Sequence, residues 1–272
     1  MLKRLLLGAL ALIVWFAALT GIQIVLHDQR AEIWARLLVA LTLLITYWAA
    51  ARFIERRAVD ELRLRDTPAT VYGFAGGFCL FLCTMVILMA AGAYHPSSFA
   101  SDAALSAGLS LAFTAAVAEE LLFRGFIFRW LEQGLGTWIA VAVSAALFGL
   151  AHAVNRGATP MSTVAIALEA GVLLSAAYAY SRALWLPIGI HVGWNFTEGT
   201  IFGVAVSGHS TTGGILSGTL NGPVWLTGGA FGVEATLPAV VVCVAAASAL
   251  LVLAARRNRI VAPLWQRVAA AA

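Results

Sequence analysis

The stretch AVAEELLFRGFIF, residues 116–128, sets Glu119, Glu120 and Arg124 inside an otherwise apolar run. What those charges cost depends on the solvent around them, and composition identifies that solvent. Of the 272 residues, 61% are hydrophobic and 11% charged, with a mean hydropathy of +0.91, against roughly 25% charged in an ordinary soluble domain. The chain is therefore read as an integral membrane protein. On insertion scales an Asp, Lys or Arg at the centre of a span costs about 2.5–3.5 kcal/mol, so three such charges left unpaired would cost on the order of 8–10 kcal/mol. Something must offset that.

Working outward, apolar runs of about 20 residues, the length that crosses the hydrocarbon core, fall near 5–26, 33–51, 70–92, 103–128, 137–153, 160–180, 184–205 and 236–255. The expected fold class is all-α, a polytopic transmembrane helical bundle of about eight spans. The first run follows Lys3 and Arg4, but it is too long for a signal peptide and no small-residue cleavage site follows it in a polar context. It reads as a retained helix. Orientation comes from Lys and Arg in the short loops. With a cytoplasmic N-terminus, that side collects Lys3, Arg4, Arg52, Arg56, Arg57, Arg63, Arg65, Arg129, Arg182, Arg256, Arg257, Arg259 and Arg267. The other side keeps only Arg30, Arg36 and Arg156, with Arg124 intramembrane. Both termini are expected in the cytoplasm.

The excess of basic residues thus has a topological explanation. Anionic lipid headgroups satisfy it, and nothing points to nucleic acid. The segment RFIERRAVDELRLRD, residues 52–66, reads as an amphipathic cytoplasmic loop near the headgroups, a solvated determinant of topology. Cys79, Cys83 and Cys243 form neither a disulfide framework nor a metal knuckle and read as packing residues. His27, His95 and His209 fall in expected loops and read as surface residues. The Gly-rich stretch 203–232, which contains Trp225, is too long for a tight turn and reads as a re-entrant loop packed under the bundle. It is no phosphate loop, because no G-K-S/T follows.

Helix geometry offsets part of the cost of the buried charges. Glu120 and Arg124 stand at i and i+4 with the acid N-terminal, an arrangement that pairs them on one face. Glu119 is turned about 100° from Glu120 and about 140° from Arg124, which leaves it without a cation on its own helix. An intramembrane ionisable group faces the bundle interior or a wet cavity and is a functional candidate. Two other spans supply partners at the same i, i+4 spacing: Phe148 and His152 in SAALFGLAH, and His191 and Asn195 in LPIGIHVGWNF. By helical rise, Glu119 lies roughly 15 Å from Arg129, His191 roughly 14 Å from Arg182 and His152 roughly 21 Å from Trp138. All three fall near mid-membrane, where convergence is allowed. Glu169 is a second deep acid, read either as a contact of this site or, by preference, as a hydrogen-bonding group between helices.

The set E-E-x-x-x-R at Glu119, Glu120 and Arg124, F-x-x-x-H at Phe148 and His152, and H-x-x-x-N at His191 and Asn195 resembles the CPBP family. These are intramembrane glutamic endopeptidases that include the type II CAAX prenyl endopeptidases and bacterial proteins related to bacteriocin processing or immunity. The similarity covers roughly residues 105–205, and LWLPIGIHVGWNFTEGTIFG is closest in kind to bacterial members. The resemblance implies that Glu119 is the general base that activates water, that His152 helps hold that water, and that His191 and Asn195 form the oxyanion hole. Glu120 and Arg124 would orient the helix or meet substrate backbone, with Phe148 in support. It implies a peptide or membrane-protein substrate and a multi-pass location in a bacterial inner membrane. Residues 1–102 are then N-terminal helices and a basic loop, 103–205 a catalytic core, and 206–272 the Gly-rich loop and a final helix.

Zinc held by Glu119, His152 and His191 is the competing chemistry. It is the less favoured one, because no H-E-x-x-H helix supplies two His beside a base, and no cofactor is expected. From a different class, the alternative is a non-catalytic membrane protein of the same fold, with an immunity, scaffold or transport role. Transport would call for inverted repeats with broken helices, which the sequence lacks.

Overall fold

The computed structural model describes residues 29–100, 105–211 and 213–269. The span expected at 5–26, with Lys3, Arg4 and His27, lies outside the described residues. The other expected spans all fall on helices. Helix α1 (Gln29–Ala49) is prolonged by a π turn, Ala50–Ile54, and α2 is Pro68–Ala90. Helix α3 (Leu105–Glu120) runs through a π segment, Leu121–Phe128, into α4 (Arg129–His152). Helices α5 (Pro160–Ile166) and α6 (Leu173–Ser181) are joined by the π segment Ala167–Val172. Helix α7 (Trp185–Phe196) ends in the π turn Thr197–Ile201, and α9 (Leu237–Arg256) follows the short α8 (Val224–Thr227). A last helix, α10, is Leu264–Ala269. Five of the helices are long and apolar enough to cross a membrane by length and composition. The architecture is an all-α bundle with exposed apolar side chains such as Leu41, Ile45, Val86, Leu147 and Val252 on its outside, the arrangement lipid demands. Cys79 and Cys83 share that outer surface, whereas Cys243 is buried.

The helix Leu105–His152 would be 48 residues long but for Gly136. Gly136 has φ 79° and ψ 169°, a conformation that only glycine holds without strain. The helix therefore breaks at Gly136, and the arm after it packs back against the π segment before it, with the Phe148 ring 5.0 Å from that of Phe123. Glu119 lies 17 residues before Gly136 and His152 lies 16 after it, so at 1.5 Å per residue both sit roughly 25 Å from the turn. This shared depth brings them together.

Glycines set the second alignment. Gly73 and Gly77 on α2 face Gly189 and Gly193 on α7, two small-xxx-small stripes that let backbones touch. A Cβ on Gly77 would stand 2.0 Å from the Ile190 carbonyl oxygen, and one on Gly193 would stand 2.1 Å from that of Phe74. This contact fixes the rotation of α7 and with it the direction of His191 and Asn195. At another close approach, a Cβ on Gly171 would lie 2.8 Å from Ala145 Cα, so α4 and the π segment 167–172 are also in backbone contact.

The basic segment 52–66 keeps an exposed face, with Arg52, Arg56, Arg63 and Arg65 open to solvent as expected of an amphipathic loop, but its other face is tied to the bundle. Glu61 is only 4% exposed. Arg57 donates to Glu61 Oε1 at 2.6 Å and Oε2 at 2.9 Å and to Glu55 at 2.6 Å, while Arg129 bridges to Glu55 at 2.5 Å. The Tyr47 hydroxyl sits between Glu61 and the Gly125 carbonyl. Because Glu55 and Glu61 find Arg57 and Arg129, this face of the segment is held against the bundle end while the rest stays exposed. Burial alone would raise the Glu61 carboxyl, but the hydrogen bonds and charge of Arg57 outweigh it and hold Glu61 below the usual carboxylate range.

At the other end of the bundle, strands β1 (Tyr94–Phe99) and β2 (Leu216–Leu220) form a two-stranded antiparallel ribbon with a register shift between Pro96 and Ser98. The Gly-rich stretch is packed there. Asn155 donates its side-chain amide to Ser207 O at 3.0 Å, and Gly208 N donates to Phe231 O at 2.7 Å. His95 and His209 are exposed, as expected of loop residues.

Candidate active site

Glu119 and Glu120 are the last two residues of α3 before the π segment, and they have separate environments. Glu120 is fully buried, and its Oε1 accepts from Arg124 Nη1 at 2.8 Å, the pair expected from i, i+4 spacing. Arg124 is also fully buried. Its Nη2 donates to the carbonyls of Ala170 at 3.2 Å and Gly171 at 3.1 Å, and its guanidinium carbon stands 4.8 Å from the centre of the Phe148 ring. The accepting carbonyls belong to the second π segment. In this protein π geometry, which recurs at functional sites, lies at the point where α3 meets the 167–172 turn.

Glu119 points elsewhere. Its side chain is 30% exposed, and its Oε2 stands 3.8 Å from His152 Nε2 and 4.0 Å from His191 Nε2. Neither is a direct hydrogen bond, and Glu119 Oε2 has no hydrogen-bond partner among the described residues. The other nitrogen of each ring is already used. His152 Nδ1 lies 2.8 Å from Phe148 O. A carbonyl only accepts, so Nδ1 carries the proton. His191 Nδ1 lies 3.1 Å from Glu120 Oε1. Both rings thus turn Nε2 toward the same oxygen of Glu119. Phe148 packs beneath them, with ring centres 4.6 Å from His152 and 6.4 Å from His191.

Asn195, one turn beyond His191, is partly buried and makes no side-chain hydrogen bond among the described residues. It lines a pocket together with His152, His191 and Phe148. The structure therefore gathers all seven residues singled out in the sequence into one region, with Glu119, His152 and His191 at its centre. Among the described residues no group of three His, Cys, Asp or Glu has the spacing to hold a metal ion.

Of three further acids near the site, the sequence reading weighed Glu169 and passed over Glu198 and Glu234. Glu169, weighed as a group between helices, does receive Cys243 Sγ at 3.7 Å, but it also lines the pocket. Glu198 is fully buried with the indole of Trp194 and Glu234 as its polar neighbours, and Glu234 accepts from Ser207 N and Oγ at 2.8 and 2.7 Å. Glu198 follows His191 by seven residues, two turns along the same helical stripe, and that spacing was a usable signal. Glu234 reaches the site only through the loop fold, so local periodicity holds no trace of it.

Residues 101–197 match the family described as Type II CAAX prenyl endopeptidase Rce1-like. No curated protein and no solved structure matches the chain. The matched segment contains Glu119, Glu120, Arg124, Phe148, His152, His191 and Asn195, and a membrane-protease family agrees with the apolar helices around them. Residues 101–197 thus match an Rce1-like domain model of the CPBP/CAAX protease family.

Proposed function

We propose that the protein is an intramembrane endopeptidase in which Glu119 activates a water for attack on a peptide bond. The observation that carries this reading is the convergence of two imidazole Nε2 atoms on one oxygen of Glu119, at 3.8 and 4.0 Å. A single water spans separations of that size by hydrogen-bonding to all three groups. Glu119 takes one proton from the water as its oxygen adds to the substrate carbonyl. The resulting oxyanion is met by donors on α7, the Asn195 amide and the His191 ring. For His191 to donate through Nε2 its ring must carry both protons, and Glu120 at Nδ1 accepts the other. Collapse breaks the C–N bond, and the leaving amine receives the proton that Glu119 took. Glu120, Arg124 and Phe148 hold the two histidines in register.

This route needs no metal or cofactor. The substrate is a peptide segment of a membrane protein presented within lipid, and both termini of the enzyme are cytoplasmic. Zinc held by Glu119, His152 and His191 is the second reading; the Nδ1 partners of both rings are of the kind that backs metal-bound histidine, but the three groups as they stand do not have the spacing of a metal site. The test is purified protein in detergent incubated with a membrane proteome, with new N-termini counted for wild type against Glu119→Gln. Cleavage by wild type and none by the variant is expected; equal cleavage by both would remove Glu119 from the mechanism.

A further inference from the structure

The pocket beside Glu119 has two walls of opposite character. One is apolar and includes Phe148, Ile166, Leu173 and Ile190, while Glu169 and Glu234 lie among its lining residues with His152, His191 and Asn195. Glu198 is a charge neighbour of both acids. Glu169, Glu198 and Glu234 are each at most 3% exposed, and no Lys or Arg forms an ion pair with any of them among the described residues. Arg124, the cation whose charge reaches Glu169, is committed to Glu120.

Hydrogen bonding leaves the same region incomplete. Glu169 Oε2 has no hydrogen-bond partner among the described residues, and the indole of Trp194 and Glu234 are the polar neighbours of Glu198. Glu169 and Trp194 both line the pocket, and Trp194 is 4% exposed. Ser207 meanwhile fixes one oxygen of Glu234 with two hydrogen bonds. Carboxyl groups held in a low-dielectric cavity without a cation either keep their protons or take a positive charge from outside the chain. Aliphatic walls in front of acids suit a long apolar stem with a cationic head, and the aromatic face of Trp194 suits the same head.

We infer that this pocket is a specificity subsite that takes a lysine or arginine side chain of the substrate next to the scissile bond. The inference rests on the endopeptidase reading for the words "scissile bond", but the pocket's preference for a cation is independent of catalysis. His152, His191 and Asn195 line both regions, so a residue whose carbonyl faces Asn195 has the pocket within reach of its side chain.

The experiment separates the two claims. In the first arm, Glu119→Gln protein in detergent is titrated with n-butylguanidinium and with the uncharged, similarly shaped n-butylurea, and binding is read from tryptophan fluorescence and thermal stabilisation. At least tenfold tighter binding of the guanidinium is expected, with the preference lost in a protein that also carries Glu169→Gln and Glu234→Gln. In the second arm, wild type cuts quenched fluorescent peptides with arginine, lysine, citrulline or norleucine at each position flanking the cleaved bond. A tenfold or greater gain in kcat/KM for the basic residues at one position is expected, and Glu169→Gln should reduce that preference, read as the ratio of kcat/KM for the arginine and norleucine peptides. Equal binding of the two small probes by the parent Glu119→Gln protein would overturn the subsite, because it would mean that the acids hold their own protons. That comparison uses no pocket variant, so misfolding of the variants cannot obscure it. A cationic preference in binding without cleavage of any peptide would support the subsite and refute the endopeptidase; cleavage indifferent to basic residues would do the reverse.

Discussion

Arg124→Ala tests how the buried charges are tolerated. The substitution removes a fully buried guanidinium and three hydrogen bonds, to Glu120 at 2.8 Å, Ala170 O at 3.2 Å and Gly171 O at 3.1 Å. It leaves Glu120 buried with His191 as its remaining partner at 3.1 Å. Breaking a buried pair from one side costs about 3–5 kcal/mol, far more than the net worth of the pair itself. Two carbonyls lose their guanidinium donor as well, but each is an orphan only if water fails to reach it, so their contribution overlaps with this figure. At about 2–4 °C per kcal/mol for a chain of this size, Tm of the detergent-solubilised protein should fall by roughly 6–20 °C. The double change Glu120→Gln with Arg124→Met removes both charges and should recover part of that loss, because a neutral pair requires no ion to be desolvated. Tm is read from the temperature dependence of the monodisperse peak in size-exclusion chromatography, with Glu119→Gln as the control that loses activity alone. If Arg124→Ala melts with wild type, or the double variant is worse than its singles combined, Arg124 is a group facing a wet cavity and not the structural partner of Glu120.

Four further outcomes are expected. Gly193→Ala would place a Cβ 2.1 Å from Phe74 O, so it should part α2 from α7 and lower both yield and peptide cleavage. Gly76→Ala, where a Cβ meets nothing within 4 Å, should match wild type in the same assays. Cleavage should survive exhaustive dialysis against chelator, with no stoichiometric zinc by elemental analysis; loss on chelation with rescue by zinc alone would favour the second reading. Reporter fusions at residue 60 and at the C-terminus should both report cytoplasm and one at residue 97 the opposite side, and a split between the first two would break the topology. Finally, Glu61 titrates lower folded than unfolded, so its contribution is complete above the unfolded carboxyl value and is lost as pH falls through the folded one. Wild type should therefore lose thermal stability on acidification more steeply than Glu61→Gln; parallel pH profiles would dissociate Glu61 from acid sensitivity.

The helical bundle and the centre of the site were legible in the sequence for one physical reason. Lipid makes an unpaired charge so costly that Glu119, Glu120 and Arg124 stood out against their run, and i, i+4 spacing then identified which acid Arg124 would neutralise. The same spacing selected His152 and His191 with their helical neighbours. What spacing does not encode is approach between helices. Gly73, Gly77, Gly189 and Gly193 determine which way His191 points, yet in an apolar run a glycine stripe looks like any small-residue stripe until its partner helix is known. The segment 52–66 was legible as an amphipathic loop but its anchoring was not, for a related reason: charge density alone does not reveal that Glu55 and Glu61 would find Arg129 from a distant helix and be covered.

The acid surplus joins these two halves of the argument. In the sequence, Glu119 was the carboxylate without a cation; in the folded protein, Glu169, Glu198 and Glu234 share that condition and lie around the same pocket or directly behind it. A bundle selected only for stability would have no reason to keep three more buried acids beside a site whose Arg124 is already committed, since apolar residues of similar size would cost less to bury. Glu198 shares the helical stripe of His191, and Glu169 belongs to the π segment whose carbonyls hold Arg124. The structural devices that orient the candidate catalytic groups therefore also position the acids.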